Sequence, residues 1–189
     1  MVASLARAGI TANQVTLAAA VLSLAIGGFV ASRADTPAVF ALLPGWLFVR
    51  MAFNAIDGML AREFGQQTRL GAYLNELTDV VSDAALYLPF AFVAPFSGHW
   101  VWAVIALAGL SEFAGALGQG LGGARRYDGP MGKSDRAFVF GVLGLLLGVG
   151  IAPGPWLNWV LSVTALLLIW TIANRVRRGL AEDRNVNAE

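Results

Sequence analysis

The chain has 189 residues, 57% of them hydrophobic and 13% charged, with a mean hydropathy of +0.65 and a formal net charge of +1. That composition excludes an ordinary soluble domain and places the protein in the integral-membrane class. With no cysteine and one histidine, His99, it also excludes disulfides, thiolate metal sites and histidine-based triads, so any general base must be a carboxylate.

A membrane-spanning helix needs about 20 mainly apolar residues. Six segments qualify: residues 14–32, 38–61, 71–94, 100–122, 137–152 and 157–174. The expected fold is an all-α integral membrane protein of about six transmembrane helices, one domain over 1–189, ending in a polar tail at 176–189. Ahead of the first span stands Thr11-Ala12-Asn13-Gln14, where Thr11 or Asn13 can cap the helix. The second and third spans carry polar residues throughout 54–83. In the fourth, Ala114, Gly118 and Gly122 recur every four residues, and the fifth has Gly144 and Gly148; such spacing favours close helix packing or a homodimer over the lining of a lipid groove. The fifth segment is short and glycine-rich, so five spans plus a re-entrant piece is the alternative. Before it lies a basic turn, residues 125–136, containing Arg125, Arg126, Lys133 and Arg136.

A six-span layout puts Arg7, Arg62, Arg69, Arg125, Arg126, Lys133, Arg136, Arg175, Arg177, Arg178 and Arg184 on one side and Arg33 on the other. By the positive-inside rule, both termini and the 54–83 cluster face the cytoplasm of a multi-pass inner-membrane protein. The cations at 175–178 read as anchors against anionic headgroups.

Carboxylates, amides and arginines inside a membrane are costly and by default mark a functional site. Here they are periodic: 54, 57, 58 and 61 share one helix face, and 71, 75, 79 and 83 another. If these helices pack antiparallel, Asn54, Asp57, Asn75 and Asp79 converge near one membrane face. There they can hold a divalent metal and, through it, a diphosphate. Arg50 and Asp83 would lie about 6 Å deeper and face each other as an orienting ion pair. Glu112 in the fourth span is a second candidate partner for Arg50.

With its gaps fixed, the core reads Asn54-x2-Asp57-Gly58-x2-Ala61-Arg62-x8-Gly71-x3-Asn75-x3-Asp79. This closely resembles the signature of the CDP-alcohol phosphotransferases, D-x2-D-G-x2-A-R-x8-G-x3-D-x3-D, with six of eight fixed positions identical and all eight in register. The Thr-Ala-Asn-Gln-Val-Thr opening and the Gly-Lys-Ser-Asp-Arg turn extend the resemblance, which points to a bacterial branch of that family. It implies that Asp57 and Asp79, with Asn54 and Asn75, hold Mg2+ or Mn2+ on the diphosphate of CDP-diacylglycerol. It further implies that Asp79 deprotonates a small alcohol or alcohol phosphate, which displaces CMP. Gly58, Ala61, Arg62, Thr68, Gly71 and Asn13 would form the nucleotide pocket, and Lys133 and Arg136, with Arg126 or its neighbour Arg125, would meet the acceptor.

Asn54 and Asn75 stand where the signature has aspartate, leaving two formal negative charges among four ligands. An amide oxygen still ligates a hard cation, but less tightly. Glu76 is therefore expected to assist, and one metal, or a weak second one, is the first expectation. Three readings compete: a phosphatidyl transferase of phospholipid synthesis, a catalytically impaired homologue acting as a nucleotide-lipid binder or scaffold, and a transporter. No nucleic-acid partner is expected.

Overall fold

The computed structural model describes residues 1–94 and 98–186, with side chains as far as Glu182. Residues 95–97 of the turn before His99, the last three residues of the polar tail and the Arg184 side chain lie outside it. Helices are the only regular elements among the described residues: α1 (Val2–Arg7), α2 (Ala12–Ser32), α3 (Leu42–Glu63), α4 (Arg69–Tyr87), α5 (His99–Gly120), α6 (Lys133–Gly148) and α7 (Pro155–Val186). Single 3-10 turns, Pro37–Ala41 and Leu88–Phe92, precede α3 and follow α4; each has a proline, Pro37 or Pro89, within its first two residues, which cannot donate to a helix. The six long helices correspond to the six expected segments. Short α1 is an addition that no apolar run announces.

Local chemistry sets the ends. Thr11 caps α2 in a reciprocal box: its hydroxyl accepts from the Gln14 N–H, and the Gln14 side chain accepts from the Thr11 N–H at 2.9 Å. Asn13 is thereby released from capping. α3 stops where Gly65 adopts φ +66°, and Thr68 Oγ1 accepts from the Gly71 N–H at 2.9 Å to start α4. Gln66 Oε1 accepts from the Ala12 N–H at 2.7 Å, tying this turn to the foot of α2.

α2 packs on α3 and α4, α3 on α6, and α5 along α7. At the centre Tyr87 and Phe140 stack at 3.8 Å, and Phe90 meets both Phe40 and Phe140 edge-on. Outward faces carry exposed Phe48, Phe138, Trp159 and Leu166, as expected of a surface solvated by lipid. Four segments, Ala12–Ser32, Pro37–Glu63, His99–Gly120 and Pro155–Glu182, are long and apolar enough to cross a membrane. α4 is amphipathic and α6 has 16 residues, so these two owe their place to the helices around them.

Glycines mark the closest approaches. Gly144 and Gly148 of α6 lie against the 3-10 turn at Phe40 and Ala41, which is the close-packing role their spacing suggests. Gly27 of α2 faces the backbone carbonyl of Ala85 on α4, leaving no room for a Cβ. Gly27→Ala is expected to destabilise the protein by about 1–3 kcal/mol through overpacking. A lowered thermal melting point in detergent checks this; an unchanged one would show that the two helices can separate without loss.

Candidate active site

The opening turns of α2, α4 and α6, the later turns of α3 and α5 and the middle of α7 meet at one end of the bundle, where they line a cavity of about 960 Å3. Asn54, Asp57, Gly58, Ala61 and Arg62 line it from α3, Asn13 and Thr16 from α2, and Thr68, Gly71, Asn75 and Asp79 from α4 and its cap. Lys133 closes the opposite wall from α6, joined by Arg125, Tyr127, Asp135, Glu112 and Arg175.

Two carboxylates are held firmly within it. Thr16 Oγ1 donates to Asp57 Oδ2 at 2.7 Å. Asp79 is gripped from both sides, with Arg50 Nη2 3.1 Å from Oδ1 and Lys133 Nζ 2.5 Å from Oδ2. Glycine makes room at two points. The Arg62 guanidinium lies over Gly58, 3.2 Å from where a Cβ would stand. At Gly71 a Cβ would come within 2.7 Å of Asn13 Oδ1, so its absence lets that amide lie at the foot of α4.

Behind Asp79 the charges continue as one network. Arg50 Nη1 lies 2.5 Å from Asp83 Oδ1, and Arg136 Nη2 lies 2.9 Å from Asp83 Oδ2 and 3.0 Å from Glu112 Oε1. Glu112 Oε2 in turn meets Arg125 Nη2 at 3.0 Å and Arg175 Nη1 at 3.5 Å. Glu112 thus pairs with these three arginines, and Arg50 is paired with Asp79 and Asp83 instead. Buried charges need such pairing, since a lone one would cost several kcal/mol.

Three residues expected at the site stand elsewhere. Glu76 forms a fork with Arg125, with an oxygen 2.8 Å from each terminal nitrogen, and it does not line the cavity. One position along a helix is about 100° of rotation, so while Asn75 and Asp79 face the cavity, Glu76 is turned away. Arg136 is 1% exposed and committed to Asp83 and Glu112. Arg126 is drawn off by α7, donating to Glu182 at 2.8 Å and to the Arg178 carbonyl at 3.1 Å. In their place the structure brings in Thr16, Glu112 and Arg175, and of the two adjacent arginines it is Arg125 that lines the cavity. Glu112 was detectable as a charge within an apolar span; Arg175 stands one residue past the last expected span, and reading it as a headgroup anchor hid it. Nothing in the sequence separates Arg125 from Arg126.

Asp57, Asp79 and the amides of Asn54 and Asn75 give an all-oxygen donor set, the kind that suits one hard divalent cation. No cluster of three or more acidic or histidine ligands occurs among the described residues.

The geometry agrees with three comparisons. Over 168 residues, 89% of this chain and 83% of the relative, the sequence is 50% identical to the inner membrane protein YnbA of Escherichia coli. A CDP-diacylglycerol–inositol 3-phosphatidyltransferase of Drosophila melanogaster is 37% identical over 67 residues, 35% of this chain and 30% of that one. Crystal structures of the Mycobacterium tuberculosis phosphatidylinositol phosphate synthase PgsA1 share the fold at 20% identity. The manganese and citrate complex gives a TM-score of 0.77, covering 95% of this chain and 87% of that one. The form with CDP-DAG bound gives 0.75, covering 94% and 90%. The family model for CDP-alcohol phosphatidyltransferases matches residues 9–171, and with the six signature residues lining one cavity the chain belongs to that family.

Proposed function

We propose that this protein transfers a phosphatidyl group from CDP-diacylglycerol to a small polar alcohol or alcohol phosphate, releasing CMP. The observation that carries the reading is the convergence of Asn54, Asp57, Asn75 and Asp79 on one polar cavity in an otherwise apolar bundle. The manganese and the CDP-DAG in the two PgsA1 structures, and the name of the Drosophila relative, support it.

Bound Mg2+ or Mn2+, held by Asp57 and Asp79 with Asn54 and Asn75, would neutralise the diphosphate and favour departure of CMP. Asn13, Gly58, Ala61, Arg62, Thr68 and Gly71 form the wall for the cytidine end. An apolar groove of about 320 Å3 between α3 and α6, lined by Leu47, Phe48, Met51 and Phe138, shares Ser134 with the cavity and suits an acyl chain. Asp79 takes the alcohol proton as the alcohol oxygen attacks the phosphorus that carries diacylglycerol. The bond from that phosphorus to the bridging oxygen breaks, and CMP leaves with the electron pair. Thr16 orients Asp57 for its part.

Arg125, Lys133 and Arg175 are cations on the wall facing these ligands and suit an acceptor bearing its own phosphate. Arg125→Ala is expected to raise KM for such an acceptor about tenfold while changing KM for the CDP-lipid much less. Equal effects on both would make Arg125 a shaper of the cavity.

We further propose six crossings, with cavity and termini cytoplasmic, on the sidedness of the basic residues. Ala114 and Gly118 line an apolar groove between α5 and α7 and support a homodimer there. The test of function is CMP release by purified protein given CDP-diacylglycerol, Mg2+ or Mn2+, and a panel of alcohols and alcohol phosphates, with products read by mass spectrometry. A binding or scaffold role is the second reading, and Asn54 and Asn75 favour it. Absence of CMP release, with the CDP-lipid still bound, would establish that alternative.

A further inference from the structure

The network behind Asp79 contains five cations, Arg50, Arg125, Lys133, Arg136 and Arg175, and four carboxylates, Glu76, Asp79, Asp83 and Glu112. Asp57 is the remaining carboxylate, held by a hydroxyl instead of a cation, and including it makes the cluster electrically neutral. Arg62, Arg69 and Asp135 stand at the solvent-exposed mouth, where water screens them. Surplus charge in a membrane interior is costly, so the cluster and its ligands must nearly balance. One divalent cation adds two positive charges and a diphosphate diester brings two negative ones. The set therefore closes with one metal and carries two surplus positive charges with two. Aspartates at 54 and 75 would supply the two negative charges that a second divalent cation needs, and this chain has asparagines there.

The position of Lys133 gives this count a structural form. Its ammonium lies 2.5 Å from Asp79 Oδ2, on the opposite carboxylate oxygen from Arg50 and on the cavity side. An ammonium offers three donors to phosphate oxygens and requires no ligand set of its own. We propose that this site is built for a single divalent cation and that the Lys133 ammonium, at Asp79, stands as its second positive charge. The inference rests on the transferase reading and assigns the lysine a place in its charge balance beyond acceptor binding.

Counting Mn2+ bound per folded chain by electron paramagnetic resonance, in the presence of cytidine diphosphate, tests this. One Mn2+ per unmodified chain is expected. Lys133→Met removes a like charge beside a metal ligand and should tighten Mn2+ binding about tenfold. Lys133→Arg keeps the charge and should leave binding within about twofold. A lysine that leaves Asp79 for the alcohol when the site is occupied would move neither value. Since the Lys133 side chain is 28% exposed, its truncation leaves no buried void. Combining Lys133→Met with Asn54→Asp and Asn75→Asp should admit a second Mn2+. Two Mn2+ on the unmodified chain, unaltered affinity in Lys133→Met, or a single Mn2+ on the triple variant would each overturn the proposal and leave the transferase reading standing. No bound Mn2+ on protein that still melts cooperatively would overturn both.

Discussion

Asp79→Asn is expected to lower CMP release about a thousandfold, the scale of a lost general base, while the protein still folds. No other group near the cavity is free to take over. His99 starts α5 and is absent from the lining, Asp57 accepts the Thr16 hydroxyl, Glu112 is paired with Arg125 and Arg136, and Asp135 accepts from the Gly132 N–H at the start of α6. The fold should survive because asparagine preserves the side-chain shape, Arg50 retains its closer partner Asp83, and Lys133 is partly solvated. Single-turnover release of CMP, measured beside the melting temperature, separates the two effects. Undiminished release would show that Asp79 is not the base. Asp57→Ala should differ in kind by removing Mn2+ binding itself, which isothermal titration reads directly.

Arg136→Met is expected to cost about 3 kcal/mol of stability, the low end for breaking a buried ion pair, because Asp83 and Glu112 each keep another arginine. It should also fail to raise KM selectively for the alcohol, since the guanidinium is sealed behind Asp83 and Glu112. Adding Asp83→Asn should recover part of the loss, because Arg136→Met leaves Asp83 with one cation where it had two, and neutralising it relieves that shortfall. Denaturation midpoints of the single and double variants in detergent provide the measurement. A stable Arg136→Met protein with a raised KM for the alcohol alone would instead mean that this arginine reaches the acceptor.

Much of the architecture was legible from the chain because its signals are local. Runs of apolar residues mark the long helices, and breaks at Gly65, Gly122 and Gly150, each at positive φ, separate them. Helical periodicity places Asn54, Asp57 and Gly58 on one face and Gly71, Asn75 and Asp79 on another, and the structure lines one cavity with both. The deeper Arg50 and Asp83 also meet, although α3 and α4 do not pack directly on each other: α2 lies against both, and the long Arg50 side chain reaches Asp83 across the gap. Even the unusual chemistry of the site, amides in two places where its family has carboxylates, is a property of the sequence.

Which cation meets which carboxylate was decided only by the tertiary structure. Glu76, Asp79 and Asp83 are close neighbours on α4, yet the first meets Arg125 and the other two share Arg50. Arg125 enters the cavity and adjacent Arg126 turns to α7; Arg136 is buried while Lys133, three positions earlier, reaches Asp79. Pairings of this kind depend on the rotation and depth of helices whose paired residues lie as far apart in the chain as Glu112 and Arg175. A helix's sequence fixes its own polar stripe, but not which neighbour's charge will lie opposite, so the ligand face was readable in advance and its counter-ions were not.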